Sequence, residues 1–255
     1  MVKHYDTSVE LCGVKLTNPV IPASGTFGFG REFAEYYDLD CLGAISFKGT
    51  TRDARFGNPT PRIAECPSGM INAVGLQNPG IEKVISEELP KLKKCFNKPV
   101  MANISGFSLE EYTTVCAKLD KEEQVGWLEV NISCPNVHGG GMSFGTSPEA
   151  AAEVVRGVKA VTTKPVIVKL TPNVTDITES ADAAIRGGAD GVAAINTIKS
   201  LIEVSIDRDE EVIYASIEGY SGKAVKPIAL RFITELAKDR NLQDKHISAM
   251  GGIET

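Results

Sequence analysis

Short runs of aliphatic and β-branched residues alternate along this chain with longer segments whose apolar positions recur at helical spacing. Residues 9–16 read as a small hairpin turned at Gly13, placed to cap the bottom of a barrel. Strands are predicted at 19–24, 44–48, 100–105, 127–132, 166–170, 191–196 and 247–250. Helices are predicted at 31–37, 81–96, 108–120, 147–161, 176–186 and 227–238. Ser108 with Glu111 forms a capping-box pattern, Ser147-Pro148 is a helix start, and Gly187-Gly188 is a helix stop. Pro90 is expected to kink the helix that contains it. Two connections, 49–79 and 197–226, are too long to be idle loops.

Repeated strand–helix units with strands of the buried type imply a parallel sheet, and their number in one unbroken pattern favours a barrel over a doubly wound sheet. The expectation is an α/β chain folded as a (β/α)8 TIM barrel with an N-terminal hairpin and long βα-loop insertions. The pattern stops at the seventh strand, so the eighth unit is expected to be missing from this chain. No linker divides residues 1–255, which read as a single domain, C-terminally incomplete.

Composition narrows the function classes. With 42% hydrophobic and 24% charged residues the chain is an ordinary globular protein. A net charge of -6 and a pI near 5.3 argue against nucleic acid as a partner. No run is apolar for the roughly 18 residues of a membrane span, and the N-terminus is not a signal peptide. Cysteines 12, 41, 66, 95, 116 and 134 show no metal-ligand spacing and suit the reducing cytoplasm, so a cytoplasmic location is expected.

The chemistry is concentrated at strand ends. Ser24, Lys48, Asn103, Asn131, Lys169 and Asn196 each finish an apolar run. Any one of them could merely mark the end of a strand. Together, at the C-terminal mouth of a barrel, they need partners, and two lysines with three amides and no acidic cluster suit a flat, carbonyl-rich anion better than a metal. Gly251-Gly252 after the last strand can present backbone N–H groups to a phosphate, although such a pair is often only a turn. The segment 69–80 can lay Asn72 over the mouth or be a plain turn cluster. Cys134 stands between Asn131 and Asn136 and before a Gly-rich loop, a setting for a held thiol acting as base, nucleophile or redox group.

The run Asn131-Ile-Ser-Cys-Pro-Asn136, followed by His-Gly-Gly-Gly-Met-Ser-Phe-Gly-Thr, resembles the dihydroorotate dehydrogenases, and the loop has the form of the NAD-linked class 1B catalytic subunits. Further matches are Pro22-Ala-Ser-Gly-Thr-Phe-Gly28, Phe47-Lys-Gly-Thr50, Asn72-Ala-Val-Gly-Leu76, Val168-Lys-Leu-Thr-Pro-Asn173, Ile195-Asn-Thr197 and Ser221-Gly-Lys-Ala-Val-Lys-Pro227. The resemblance spans residues 7 to 252, and departs from the family's pattern at Glu218-Gly219-Tyr220.

It implies oxidation of (S)-dihydroorotate to orotate with FMN as first electron acceptor and Cys134 as the base. By the same resemblance Lys48, Asn72, Asn131, Asn136, Asn196 and Thr197 hold the substrate, together with Ala73, Val74, Gly75 and Leu76. Ser24, Lys48, Gly49, Asn103, Asn131, Lys169, Ile195 and Gly222 contact FMN, with Gly251 and Gly252 on its phosphate. Class 1B also implies a homodimer of catalytic subunits and an electron-transfer subunit carrying FAD and a 2Fe-2S cluster. The alternatives are a fumarate-linked relative, another pyrimidine-directed flavin oxidoreductase, or a non-catalytic fragment.

Overall fold

Strands buried on both faces make the centre of the molecule. The computed structural model describes residues 5–133, 147–201, 204–205, 210–211 and 218–254. The chain opens with β1 (Val9–Leu11) and β2 (Val14–Leu16), an antiparallel hairpin turned, as expected, at Gly13. Residues 19–24, predicted as the first core strand, form no strand. Pro19 and Pro22 have no N–H to give to a ladder, and the segment is held instead by Val20 O, which accepts the Gly43 N–H at 2.9 Å. The first predicted helix is a short 3-10 helix, Arg31–Glu35.

After β3 (Ile45–Thr50), the long connection carries a second hairpin, β4 (Ile63–Cys66) and β5 (Gly69–Asn72). The helix predicted at 81–96 runs as α1 (Ile81–Lys83), a π-helical turn (Val84–Glu88) and α2 (Leu89–Lys93). Pro90 cannot donate to the carbonyl one turn back, and the wider turn directly before it absorbs that loss.

The regular part then follows as predicted, within a residue or two at each end: β6 (Val100–Ile104), α3 (Leu109–Leu119), β7 (Val125–Asn131), α4 (Pro148–Lys159), β8 (Val166–Lys169), α5 (Ile177–Arg186) and β9 (Gly191–Ala194). Ser108 Oγ accepts the Glu111 N–H at 3.2 Å, and the Glu111 carboxylate accepts the Phe107 N–H at 2.7 Å, one residue earlier than in an ideal capping box. Ser147 Oγ caps α4 by accepting the Ala150 N–H. The second long connection contains β10 (Ile198–Ser200), β11 (Val204–Ser205), β12 (Glu210–Glu211) and β13 (Glu218–Ser221), and α6 (Lys226–Lys238) leads to β14 (His246–Ala249).

The main sheet is six-stranded and parallel, in the order β14-β9-β8-β7-β6-β3. Its strands β6, β8 and β9 are buried at every residue, as strands sandwiched between helices and an inner core must be. A second, antiparallel sheet of order β10-β13-β5-β4 joins the two long connections. It grows from the C-terminal ends of β3 and β9, so both insertions serve one end of the parallel sheet. At the opposite end the hairpin closes the interior. Leu11 and Leu16 pack with Ala44, Met101, Trp127, Ile167 and Ala193, and Trp127 Nε1 donates to Leu11 O at 2.8 Å. This is the cap expected from the hairpin's position in the sequence.

Candidate active site at the C-terminal mouth

The period-2 alternation of the strands sorts the inner residues into layers. Above the apolar layer of Met101, Trp127 and Ile167 come, two residues later, Asn103, Glu129 and Lys169, and on β7 two further still Asn131. Ser46 takes the equivalent place on β3, two residues after Ala44. The sheet interior therefore changes from hydrophobic to polar along its own axis.

Glu129 is the centre of the polar layer. It is 1% exposed, and its Oε2 accepts Asn103 Nδ2 at 2.5 Å, Ser24 Oγ at 3.3 Å and Ser46 Oγ at 3.3 Å. Lys169 Nζ stands 3.8 Å from the same oxygen and donates to Ser24 Oγ at 2.9 Å. The sequence reading missed Glu129, because it sits in an otherwise apolar run. Its inward parity with Trp127 and Asn131 was the available signal.

One layer up, Asn196 Nδ2 donates to Asn131 Oδ1 at 3.2 Å, and Asn131 Nδ2 reaches Ser105 Oγ at 3.4 Å. Tyr112, from α3, fixes the end of β7 by donating its hydroxyl to Asn131 O at 2.7 Å. Ser133 continues the clamp, its N–H on Asn131 Oδ1 and its hydroxyl on Lys169 O. Lys48 joins this mouth from β3: a side chain added at Gly25, the neighbour of Ser24, would come within 4.0 Å of its Nζ. The predicted convergence of Ser24, Lys48, Asn103, Asn131, Lys169 and Asn196 is thus observed, with Ser24 on a loop and Asn196 just beyond its strand.

Asn72 ends β5 and donates to Gly219 O at 3.2 Å, and Gly219 itself has no room for a side chain because Thr197 Oγ1 would be 2.5 Å away. The second sheet thereby brings Asn72 beside Thr197, next to Asn196. Leu76 turns back to Gly49, where an added side chain would meet Asn103 Oδ1 at 2.8 Å and Leu76 at 3.7 Å. Ala73, Val74 and Gly75 meet Arg62 and Asn58 of their own connection. Tyr220, where the chain departs from the family's pattern, lies against Gly69 and donates its hydroxyl to Pro67 O, fastening β13 to the β4–β5 hairpin. Cys134 and Asn136 lie outside the described residues.

A third group is made of glycines. Gly222, Gly251 and Gly252 all have positive φ, and a side chain on Gly252 would strike Lys226 N at 2.8 Å and Gly222 O at 2.9 Å. Ile195 is buried beside Gly251. Backbone from two loops and the first turn of α6 is packed together here as only glycine permits, beside a helix N-terminus. Together with the amides and lysines of the mouth, these residues fit a phosphorylated, carbonyl-rich cofactor such as FMN. Among the described residues no cluster of His, Cys, Asp and Glu could hold a metal ion, and no helix is long and apolar enough to cross a membrane.

Comparison with known proteins agrees with this geometry. The sequence profile of the family described as Dihydroorotate dehydrogenase matches residues 7–255. The chain is 50% identical over 248 residues to the "Dihydroorotate dehydrogenase B (NAD(+)), catalytic subunit" of Enterococcus faecalis, covering 97% of this chain and 78% of that one. It is 51% identical, with the same coverage, to the protein of that name from Geobacillus kaustophilus. Among solved structures, a dihydroorotate dehydrogenase from Eimeria tenella, crystallised with ferulenol, superposes with a TM-score of 0.75 at 21% identity, over 98% of this chain and 74% of that one. That likeness identifies the fold as TIM-barrel-like α/β.

Proposed function

This chain belongs to the dihydroorotate dehydrogenase family, and on that premise we propose how its residues carry the reaction. It is an oxidoreductase that converts dihydroorotate to orotate in pyrimidine biosynthesis. The observation that carries this reading is the stacking, at one mouth, of a buried polar layer, an amide layer and a glycine-packed corner at the start of α6. Residues 1–255 act as one FMN-binding unit: Gly222, Gly251 and Gly252 with the start of α6 take the phosphate, and Ser24, Lys48, Gly49, Asn103, Asn131, Lys169 and Ile195 line the ring. When bound, FMN supplies the acceptor for the hydride that leaves C6 of the substrate.

The protein's own part is positioning and proton removal. Lys48, Asn72, Asn131, Asn136, Asn196 and Thr197 offer donors and acceptors to the pyrimidine carbonyls, ring nitrogens and carboxylate, and the clamps from Tyr112 and Ser133 fix Asn131 before substrate arrives. Leu76, packed at Gly49, gives the seat an apolar edge. Cys134, directly after the anchored Ser133, takes the C5 proton. Two other thiols of the chain are poor bases: burial pushes Cys12 up to about 11 and also raises Cys116.

A partner subunit carrying FAD and a 2Fe-2S cluster would take the electrons on to NAD, with the catalytic chains pairing as a homodimer in the cytoplasm. The NAD(+) in the relatives' names favours this route over a fumarate-linked one. Orotate titration of the flavin-loaded protein tests the substrate seat. Lys48→Ala should weaken orotate binding roughly 10-fold or more, the loss of a charge-assisted hydrogen bond, and slow the half-reaction as well. Unchanged affinity would remove Lys48 from the seat.

A further inference from the structure

The buried carboxylate of Glu129 has no role in the reaction as described above. A carboxylate taken out of water is costly unless it is paired and fully hydrogen-bonded, and an apolar residue would fill the space above Trp127 without that cost. What Glu129 touches gives the reason for its presence. Ser24, Asn103 and Lys169, three of the residues assigned to the flavin, all meet its Oε2, as does Ser46, and each comes from a different segment of the chain.

Two consequences follow from the geometry. Asn103 gives its amide N–H to Glu129, which turns its Oδ1 toward Gly49; the orientation of that amide is set by the carboxylate. The ammonium of Lys169, 5% exposed, has the carboxylate as its countercharge, so its field at the mouth is partly cancelled. From this arrangement we infer that Glu129 is the positioning residue of the flavin site, holding Ser24, Asn103 and Lys169 in place and lowering the flavin's reduction potential by offsetting the charge of Lys169. This rests on the FMN reading given above.

The sign is set by charge. A reduced flavin carries more negative charge than an oxidised one, so an uncompensated Lys169 favours reduction. In Glu129→Gln the shape is kept and the charge removed. Its FMN potential should rise by about 30 mV or more, a tenfold change in the equilibrium of a two-electron couple. Glu129→Asp keeps the charge and should return most of the way to the wild-type potential, and Lys169→Gln should lower it. The potentials are measured by anaerobic dye titration of the flavin-loaded proteins, beginning with wild type.

A wild-type protein that binds no FMN overturns the reading on which the inference rests. A wild-type protein that holds FMN, beside a Glu129→Gln variant whose potential is unchanged or lower, overturns the inference alone. If Glu129→Gln purifies without flavin, FMN affinity becomes the readout. Loss with Gln and recovery with Asp supports the charge role, whereas equal loss in both contradicts it.

Discussion

Cys134→Ser is expected to leave FMN and orotate bound nearly as in the wild type while slowing flavin reduction by dihydroorotate about 10²–10⁴-fold near neutral pH, the usual contribution of a positioned general base. A thiol titrates near pH 8.5, so a useful fraction is thiolate at pH 7 to 8, whereas a serine hydroxyl yields its proton far less readily. The wild-type rate of flavin reduction should therefore climb with pH and level off once the thiolate dominates. Binding should be spared because the residues assigned to substrate and flavin do not depend on the thiol: Asn131 is held by Tyr112 and Ser105, and Lys169 by Ser24 and Glu129. Single-turnover stopped-flow absorbance separates the two effects. A variant that reduces at the wild-type rate would take the base role away from Cys134.

The largest expected effect on stability lies at the other end of the strands. Trp127 is fully buried among Leu11, Leu16, Met101 and Ile167, and its indole N–H is spent on Leu11 O. Trp127→Ala opens a cavity beneath the polar layer and frees the hairpin that covers it, with an expected loss of roughly 3–5 kcal/mol. Trp127→Phe keeps most of the volume and gives up the hydrogen bond, so about 1 kcal/mol is expected. Urea unfolding at fixed FMN concentration gives both values. Far-UV circular dichroism is the suitable signal, because Trp127 is the chain's only tryptophan and its fluorescence goes with it. Equal losses in the two variants would mean that the hydrogen bond, not the packing, holds the hairpin.

The regular part of this architecture was legible because local and global signals agree there. From Val100 to Ala194 each strand is a run of mostly buried, mostly apolar residues, and the helices between carry side-chain caps at Ser108, Ser147 and Asp176. The failures have physical causes. Residues 19–24 are apolar enough for a strand, but two prolines remove the donors a ladder needs. Strands β4 and β5 were hidden inside a predicted loop because they are short, separated only by Pro67 and Ser68, and half exposed. They are stabilised by β13, which lies far along the chain, so no local pattern announces them.

The site shows the same division. Polar residues that end apolar runs could be read from sequence, since burial at the mouth is where such residues need partners. Glu129 could not be picked out by that rule, being an internal strand residue whose partners lie on four other segments. Asn72 and Thr197 come together only through the second sheet, by way of Gly219.

On the proposed function, this mouth holds FMN and passes it a hydride from dihydroorotate. The most direct measurement is the visible absorbance spectrum of the purified protein under anaerobic conditions, before and after dihydroorotate is added. Flavin bands that are present at the outset and bleach on addition are the predicted result. Flavin bands that persist unchanged in the presence of dihydroorotate would contradict the assigned substrate, and a protein unable to take up FMN at all would contradict the site.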